Sequence, residues 1–372
     1  MSFRRFVYLV TDNAKRRRNF LLRRIDMSRF FLPKCERDRL RTAPPPLEEG
    51  RLPPVAMRFI PPSPKFGKGS MDFMLLAGGD DVVSTCNGSR IDDKVIAADQ
   101  MGRTLLYDSE CHSVGTLCNL AAPKLSPISL TVGRGLYILD TALIGNHDHC
   151  FERIMHDDPD SISDNDEWFR CVTREREDLN CESLPSPPYA RARENSMGGH
   201  PSRVTSYTVA SSGTSIWVSG PNLGTHSFDT ARHVWSKVGD WELPFYGRGH
   251  YIPEHKLCFG LSSGYGEAYG EDAYMCASDL TMTPPTTHII WGQPAPPECS
   301  SKRYYLVHLG LSRFCHARFY EIIRPGDDDC PKFVEFTGLE VQRCGEAGSE
   351  LMVLQHRSEV YSIDNLMKQW VL

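Results

Sequence analysis

The segment "GTHSFDTARHVWSKV" (residues 224–238) has the pattern of a β-hairpin. Residues that favour strands lead to the pair Phe228-Asp229, and Trp235 follows six positions after the aspartate. Aspartate favours a turn because its carboxylate can accept hydrogen bonds from its own downstream backbone. The aromatic residue then lies on the return strand, where it can pack between sheets. The segment therefore predicts a strand, a tight turn and a second strand.

The same spacing recurs twice. In "GRTLLYDSECHSVGTL" Asp108 precedes Val114 by six positions, and in "EVYSIDNLMKQWVL" Asp364 precedes Trp370 by six. One hairpin alone is unstable in water, whereas stacked hairpins bury each other's faces. We therefore expect equivalent turns at the three aspartates and equivalent buried sites for the two tryptophans. The predicted repeat positions are Asp108, Asp229, Trp235, Asp364 and Trp370.

Short strand-like runs occupy most of the remaining chain, among them "KVIAAD", "SIWVSG" and "FVEFTGLEV". They show period-two patterning between turn residues, and no segment shows a long helical period. This pattern predicts an all-β chain, and the repeated hairpins favour a β-propeller of about six blades with degenerate repeats. We expect one domain over residues 1–372, whose ring closes by mixing strands from both ends, the N-terminal "RRFVYLV" and the C-terminal "EVYSI".

Two regions depart from the strand pattern. Residues 33–66 are rich in proline, and residues 156–201 are first acidic and then proline-rich. Because proline cannot donate to a strand ladder, we expect little strand pairing over much of the first region and a mostly disordered insertion in the second. Segments such as "SLPSPPY" could be ligands of the PxxP kind, but a surface insertion is the more common explanation.

Composition excludes several classes of protein. The formal net charge of −5 provides no global basic field, so nucleic acid is not the expected partner. The arginine-rich N-terminus lacks a secretory apolar core, and no run is long enough to span a membrane. We therefore expect a cytoplasmic or nuclear protein that is not secreted. The 13 cysteines form no C-x-x-C pair and are expected to be mostly free thiols.

No segment carries a convincing catalytic or metal-binding motif. "NHDHC" (residues 146–150) contains two histidines and a cysteine, but no second ligand pair accompanies it, so an exposed loop without metal is expected. "KRRR" (residues 15–18) falls between two predicted strands and is interpreted as a charged hairpin loop. His250, Glu254 and His255 are the least implausible acid-base cluster. We predict no cofactor, no metal and no catalytic residue.

The hairpins resemble degenerate kelch motifs, and Gly78-Gly79 is the one diglycine that follows a strand-like run before such a hairpin. More closely, the chain resembles a large family of uncharacterised plant proteins, expanded in grasses, that share a domain of unknown function. The stretches "LLRRIDMSRFF", "DQMGRTLLYD", "SFDTARHVWSKVGDWELPF" and "YIPEHKLCFGLSS" carry this resemblance. It implies a kelch-like or F-box-associated-like propeller, and it supplies no catalytic residues.

The leading hypothesis is a noncatalytic propeller that presents loops to a protein or peptide partner. Its predicted contact residues are Tyr246, Arg248, His250 and Tyr251, taken as a loop rim near the end of a repeat. A ligase adaptor role is possible, without an F-box in this chain. The alternative is an enzyme or small-ligand binder that uses the central channel of the ring.

Overall fold

A computed structural model describes most of the chain. The described residues are 3–13, 19–33, 46–62, 69–78, 93–141, 148–156, 179–191, 203–262, 272–324, 330–345 and 350–372. The chain forms two compact units. Unit 1 comprises Met1–Ile60, Thr205–Ser211 and Trp241–Leu372, and unit 2 comprises Pro61–Val204 and Ser212–Asp240.

The described residues are almost entirely strand, turn and bend. In chain order the strands are β1 (Phe6–Asn13), β2 (Asn19–Asp26), β3 (Leu47–Glu49), β4 (Met57–Phe59), β5 (Met71–Leu76), β6 (Lys94–Asp99), β7 (Thr104–Asp108), β8 (Ser113–Thr116), β9 (Pro127–Val132), β10 (Gly135–Asp140), β11 (Phe151–His156), β12 (Leu179–Ser183), β13 (Ser206–Val209), β14 (Ser215–Gly220), β15 (Gly224–Asp229), β16 (Val234–Gly239), β17 (Phe245–Ile252), β18 (Leu257–Ser262), β19 (Met275–Asp279), β20 (Thr286–Trp291), β21 (Cys299–Gly310), β22 (Arg313–Ile322), β23 (Lys332–Cys344), β24 (Glu350–Ile363) and β25 (Gln369–Val371). Single helical turns occur at Met27–Phe30 and Pro188–Arg191.

The prediction of an all-β chain is confirmed, because regular helix in the described residues is limited to those two turns. None of the described helices is long and apolar enough to cross a lipid bilayer.

Unit 1 contains three groups of strands. β25, β1, β2 and β4 form one sheet in that order, and β21, β22, β23, β24 and β3 form another. In the third group β13 pairs in parallel with β17, which continues through β18, β19 and β20. β1 pairs with β25, so a strand near the start of the chain bonds to one near its end, but the predicted C-terminal segment "EVYSI" lies on β24 and pairs with β23 and β3. Apolar clusters among its described residues include one around Phe319, Phe336 and Tyr361 and another around Phe259 and Phe314.

Unit 2 also consists of three groups of hydrogen-bonded strands among its described residues. β5, β6, β7 and β8 form an antiparallel sheet, as do β9, β10, β11 and β12, while β14, β15 and β16 form a third antiparallel group. The Thr131 hydroxyl on β9 connects the two four-stranded sheets through β5. It accepts a hydrogen bond from the Ala77 N–H, just after β5, at 3.0 Å and donates one to the Leu75 carbonyl of β5 at 3.1 Å. An apolar cluster around Ile96, Ile138 and Ile154 is buried in this unit.

Asp108 and Asp229 open turns of the same geometry in unit 2. The Asp108 carboxylate accepts the backbone N–H groups two and three residues downstream at 2.9 and 3.1 Å, and Asp229 does so at 2.9 and 3.0 Å. In both turns the fourth residue after the aspartate has a positive φ. Tyr107 then pairs with Val114, as Phe228 pairs with Trp235 across the other hairpin. Hydrogen bonding of aspartate to its own downstream backbone explains both turns.

The expectation that Asp364 and Trp370 form a third such hairpin is wrong. Asp364 follows β24, which belongs to the sheet of β23, whereas Trp370 lies on β25 and pairs with Val10 of β1. The chain therefore leaves one sheet and enters another between the two residues. Both tryptophans are partly exposed instead of buried, and each lies on an end strand of its sheet.

Replacing Asp108 by alanine should lower the free energy of unfolding by more than about 1 kcal/mol, because two backbone N–H groups lose their acceptor and the buried Lys94 ammonium group, 3.9 Å away, loses a carboxylate. The variant Asp108→Asn should recover the part of this loss that comes from the turn, since an amide oxygen can accept the same two bonds. Urea denaturation of both variants tests this expectation. Equal losses in the two variants would show that the charge, and not the turn bonds, stabilises the hairpin.

Short strands occur in both of the proline-rich regions. β3 pairs in parallel with β24 and β4 pairs with β2, and neither of these three-residue strands contains a proline. Within residues 156–201, β12 pairs with β11. "SLPSPPY" is partly docked, because Trp235 Nε1 donates to the Pro185 carbonyl at 2.8 Å and Tyr189 is buried. Residues 157–178 of the insertion lie outside the described residues.

One pair of cysteines departs from the free-thiol expectation. Cys118, which follows β8, forms a disulfide with Cys181 on β12, 63 positions later in the chain. The two Cα atoms lie 5.7 Å apart, within the range that a disulfide requires. Other cysteines in the described part of the chain are free: Cys111, Cys150, Cys258, Cys276, Cys299, Cys315, Cys330 and Cys344.

His316 on β22 is a buried histidine whose ring contacts Trp291 and Tyr304. Burial, aided by the positive charge of Arg318, lowers the pKa of His316 to about 3. The unfolded chain binds a proton near pH 6.5 and the folded chain does not, so stability is lost as the pH falls below 6.5. Between pH 7 and pH 5, protonation of His316 in the unfolded chain should lower the free energy of unfolding of the wild type by about 2 kcal/mol, and His316→Phe should remove this decrease. Guanidinium denaturation at both pH values measures this; an unchanged pH dependence would contradict it.

Candidate functional site

The predicted contact residues Tyr246, Arg248 and His250 lie on strand β17 and not on a loop. The register of β17 with β18 is interrupted between Tyr246 and His250, and Gly247 within this bulge has a φ of +72°. A glycine adopts that conformation without strain. The bulge around Gly247 therefore belongs to an irregular strand and not to the predicted loop rim.

Gly249 and Gly260 serve a different purpose. A Cβ atom added to Gly249 would lie 2.4 Å from the Phe245 ring, and one added to Gly260 would lie 2.6 Å from the Phe245 Cβ. Both glycines therefore allow the Phe245 side chain to lie directly against β17 and β18. Phe245 is fully buried, so its packing supports the strand that carries Arg248.

Tyr251 is separated from the other three predicted contact residues. It pairs with Cys258, and as the residue after His250 it points to the opposite face of the strand. The structure therefore brings together Tyr246, Arg248 and His250 but leaves Tyr251 apart from them.

Two neighbouring strands add residues that sequence reasoning missed. Tyr207 on β13 is the direct parallel partner of Arg248. On β21 the Tyr305 hydroxyl donates to the Gln369 carbonyl, and Arg303 Nη1 lies 3.3 Å from the same oxygen. We call the following residues the Tyr/Arg cluster: Tyr207, Tyr246, Arg248, Arg303 and Tyr305.

Electrostatic effects link the members of the cluster. Burial raises the pKa of Tyr207; Arg248 opposes this shift, and the Tyr305 and Tyr246 hydroxyls add to it. Burial likewise raises the pKa of Tyr305; the positive charge of Arg303 opposes this increase and the Tyr246 hydroxyl adds to it. Both side chains are neutral hydroxyl groups at physiological pH, and the single hydroxyl proton of Tyr305 is already donated to the Gln369 carbonyl. Tyr246 has 42% of its surface exposed, so the cluster is accessible from solvent.

His250 and His308 lie behind the cluster. His250 Nε2 donates to the Leu306 carbonyl at 2.8 Å, and the two imidazole rings are 6.1 Å apart. Burial, with the positive charges of Arg248 and Arg4 and the nearby His308, holds the pKa of His250 well below its usual range. Burial and Arg248 also lower the pKa of His308 to about 4, against an opposing effect of Glu254. Both histidines are therefore neutral at pH 7.

The acid-base cluster considered from the sequence is divided between different partners. His255 is buried in the turn between β17 and β18, where its Nε2 lies 2.8 Å from the Ser312 hydroxyl and its ring packs on Phe259. His250 instead bonds to Leu306. Glu254 is exposed. The two histidines therefore do not form one arrangement that could share a proton with a substrate.

The other motifs noted in the sequence add no site. His149 Nδ1 lies 2.7 Å from the Ser183 hydroxyl, and Cys150 is buried, where burial raises the pKa of its thiol. His147 and the "KRRR" run fall outside the described residues. Among the residues that the structure describes, no group of three histidine, cysteine or acidic side chains is arranged to hold a metal ion.

The residues that sequence reasoning missed, Tyr207, Arg303 and Tyr305, lie on two strands that neighbour β17. β13 pairs with β17, and β21 starts the next sheet and receives the His250 hydrogen bond. The signal in the sequence was polar and aromatic residues on alternating positions of these strands, as in "SYTV" and "KRYYLV". That signal could be used only if it were known that these strands lie side by side.

The chain belongs to the protein family of unknown function DUF1668, whose sequence profile matches residues 4–361. This confirms the resemblance to a family that shares a domain of unknown function. No curated protein matches the chain.

Among solved structures, the chain is similar to the WD40 domain of SCAP from fission yeast, at 9% identity and a TM-score of 0.35, covering 98% of this chain and 89% of that one. It is also similar to the β-propeller domain of Cps50 (Swd1) from Myceliophteria thermophila, at 12% identity and a TM-score of 0.29, covering 56% and 57%. The strand pairing within each unit, and not these similarities, defines the fold.

Proposed function

We propose that this protein is a noncatalytic binding module that uses the Tyr/Arg cluster to bind a protein or peptide partner. The observation that carries the proposal is the concentration of three tyrosines and two arginines on adjacent strands, with Tyr246 and Arg303 exposed. Tyrosine and arginine are the residue types enriched at the energetic centres of protein interfaces. The strands hold these side chains in place, so little conformational entropy is lost when a partner binds.

We also propose that the strands form a kelch-like propeller of about six blades in a single domain. Support comes from groups of four strands that follow one another along the chain in both units. The pairing of β1 with β25 supports closure by the terminal strands. A propeller offers fixed positions on its first strands and loops from which side chains can contact a partner.

The test is affinity purification of tagged protein from the tissue that expresses it, with mass spectrometry of the retained proteins. Wild type should retain a partner near equal stoichiometry, and Tyr246→Ala should lose most of it. The exposed Ile289 on β20 provides a matched control, and Ile289→Ala should retain the partner. Ligase subunits among the retained proteins would make the protein an adaptor.

A partner retained equally by Tyr246→Ala and wild type would contradict the assignment of the binding surface. A clean preparation without a partner would contradict the binding function and favour the alternative, a small-ligand binder or enzyme. The two histidines with separate partners give no specific support to that alternative.

A further inference from the structure

We infer that unit 2 carries a binding surface for proline-rich peptides, and that the chain's own residues 184–189 occupy this surface in the structure. We call the surface the aromatic patch; it consists of Phe151 on β11, His226 and Phe228 on β15, and Trp235 on β16. A proline-rich segment of a partner protein would bind there by replacing residues 184–189. The patch and the segment both belong to unit 2, whereas the Tyr/Arg cluster belongs to unit 1, so this inference is independent of the binding surface proposed above.

The aromatic patch is a fixed surface. His226 and Phe228 lie two positions apart on β15 and share one of its faces, and Trp235 is the strand partner of Phe228. The Trp235 ring lies 5.1 Å from the Phe228 ring and 5.3 Å from the Phe151 ring, and both phenylalanines are buried. Trp235 itself is partly exposed. Two buried rings therefore hold the indole in place where solvent can reach it.

The segment contacts the patch through its backbone and through a side chain. Trp235 Nε1 donates a hydrogen bond to the Pro185 carbonyl at 2.8 Å. The Tyr189 ring packs edge to face on His226, with 5.1 Å between the ring centroids. Recognition of extended proline-rich peptides uses the same chemistry, because aromatic-lined grooves accept the peptide and its backbone carbonyls have no partner within the peptide itself.

Only one side of the segment is covered. Leu184 and Pro187 are buried while Pro185 and Pro188 are exposed, which follows the three-residue period of a polyproline helix. The Leu184 N–H anchors the start of the segment by donating to the Phe151 carbonyl at 2.9 Å. The segment therefore lies on the unit as a bound peptide would, with its other side facing solvent.

The fit between the segment and the patch is incomplete. The Tyr189 hydroxyl and His226 Nδ1 are both buried, and neither has a hydrogen-bond partner among the described residues. A buried polar group without a partner costs free energy, so a ligand that satisfied these atoms would bind better than the segment itself. The covalent connection compensates, because it gives the segment an effective concentration on the order of millimolar. A free peptide must therefore compete with the segment.

The first experiment measures binding of the fluorescein-labelled peptide SLPSPPY to the full-length protein by fluorescence anisotropy. Leu184→Ser and Tyr189→Ser each remove one anchor of the chain's own segment, so each variant should bind the peptide at least about tenfold more tightly than the wild type. Adding Trp235→Phe to either variant removes the indole donor, keeps an aromatic ring and should weaken binding about tenfold. Adding Trp291→Phe instead, on β20 of unit 1, is the matched control and should not change binding. Thermal melting checks that each variant is folded.

A second measurement uses the wild type and needs no substitution in the segment. At about 1 mM, SLPSPPY should compete with the segment and shift the indole N–H signal of Trp235 in the NMR spectrum. This signal is assigned by its absence in Trp235→Phe. The peptide SLASAAY, which has no proline, should leave the signal in place.

The inference would be overturned by equal binding of SLPSPPY and SLASAAY, or by equal binding of SLPSPPY to Tyr189→Ser with and without Trp235→Phe. The absence of both binding to the variants and a signal shift in the wild type would also overturn it. Wild-type dimers that are absent in Tyr189→Ser would assign the patch to the same segment of a second copy, and would overturn the partner protein as its ligand.

Discussion

Replacing Glu152 by alanine should lower the free energy of unfolding by about 3 to 5 kcal/mol, because the change leaves a buried ammonium group without its counter-ion. Glu152 on β11 and Lys124 form an ion pair whose side chains are 1% and 3% exposed. The Lys124 ammonium also donates to the carbonyls of Ala122 and His149, at 2.7 and 2.9 Å. The Glu152 carboxylate in turn accepts the Ala121 N–H at 2.7 Å, so removing it also leaves a backbone donor without an acceptor.

Urea denaturation of Glu152→Ala measures this effect. An exposed ion pair provides the control, since the Lys237 and Asp240 side chains are 53% and 92% exposed. Asp240→Ala should leave the stability almost unchanged because water solvates the Lys237 ammonium group that remains. The double variant Lys124→Met/Glu152→Leu should lose less stability than Glu152→Ala, since it leaves no unpaired charge. Equal small losses for Glu152→Ala and Asp240→Ala would contradict the role of the buried pair.

Removing the Cys118–Cys181 disulfide should lower the free energy of unfolding by about 4 kcal/mol. The bond closes a loop of 63 positions, and a cross-link of that length removes much of the conformational entropy of the unfolded chain. In the folded state it also ties β12, the last strand of its sheet, to the segment that follows β8. Guanidinium denaturation of Cys181→Ser without reductant tests the prediction.

Two controls accompany this measurement. Cys111 is exposed and free, so Cys111→Ser should leave the stability unchanged. Dithiothreitol should destabilise the wild type by about the same amount as Cys181→Ser and should not affect the Cys181→Ser variant. A wild type whose stability does not respond to reductant would show that the bond does not stabilise the fold.

Part of the candidate site was predicted from the sequence. Tyr246, Arg248, His250 and Tyr251 were predicted as aromatic and cationic residues of a loop rim near the end of a repeat, and all four lie on strand β17. Their partners could not be predicted in this way. Tyr207 is about 40 positions from Arg248 and Tyr305 nearly 60, and only the pairing of β13 with β17 and the contact of β17 with β21 bring them together.

The features that could be predicted from the sequence depend on neighbouring residues. Period-two patterning determines strands, and the bonds of Asp108 and Asp229 to their own downstream backbone determine two hairpins, because each interaction spans only a few residues. Asp364 has the same local pattern, yet it lies between two sheets because β25 pairs with β1. Strand partners, the Cys118–Cys181 bond and the burial of Glu152 depend on residues distant in the chain, so only the tertiary structure decided them.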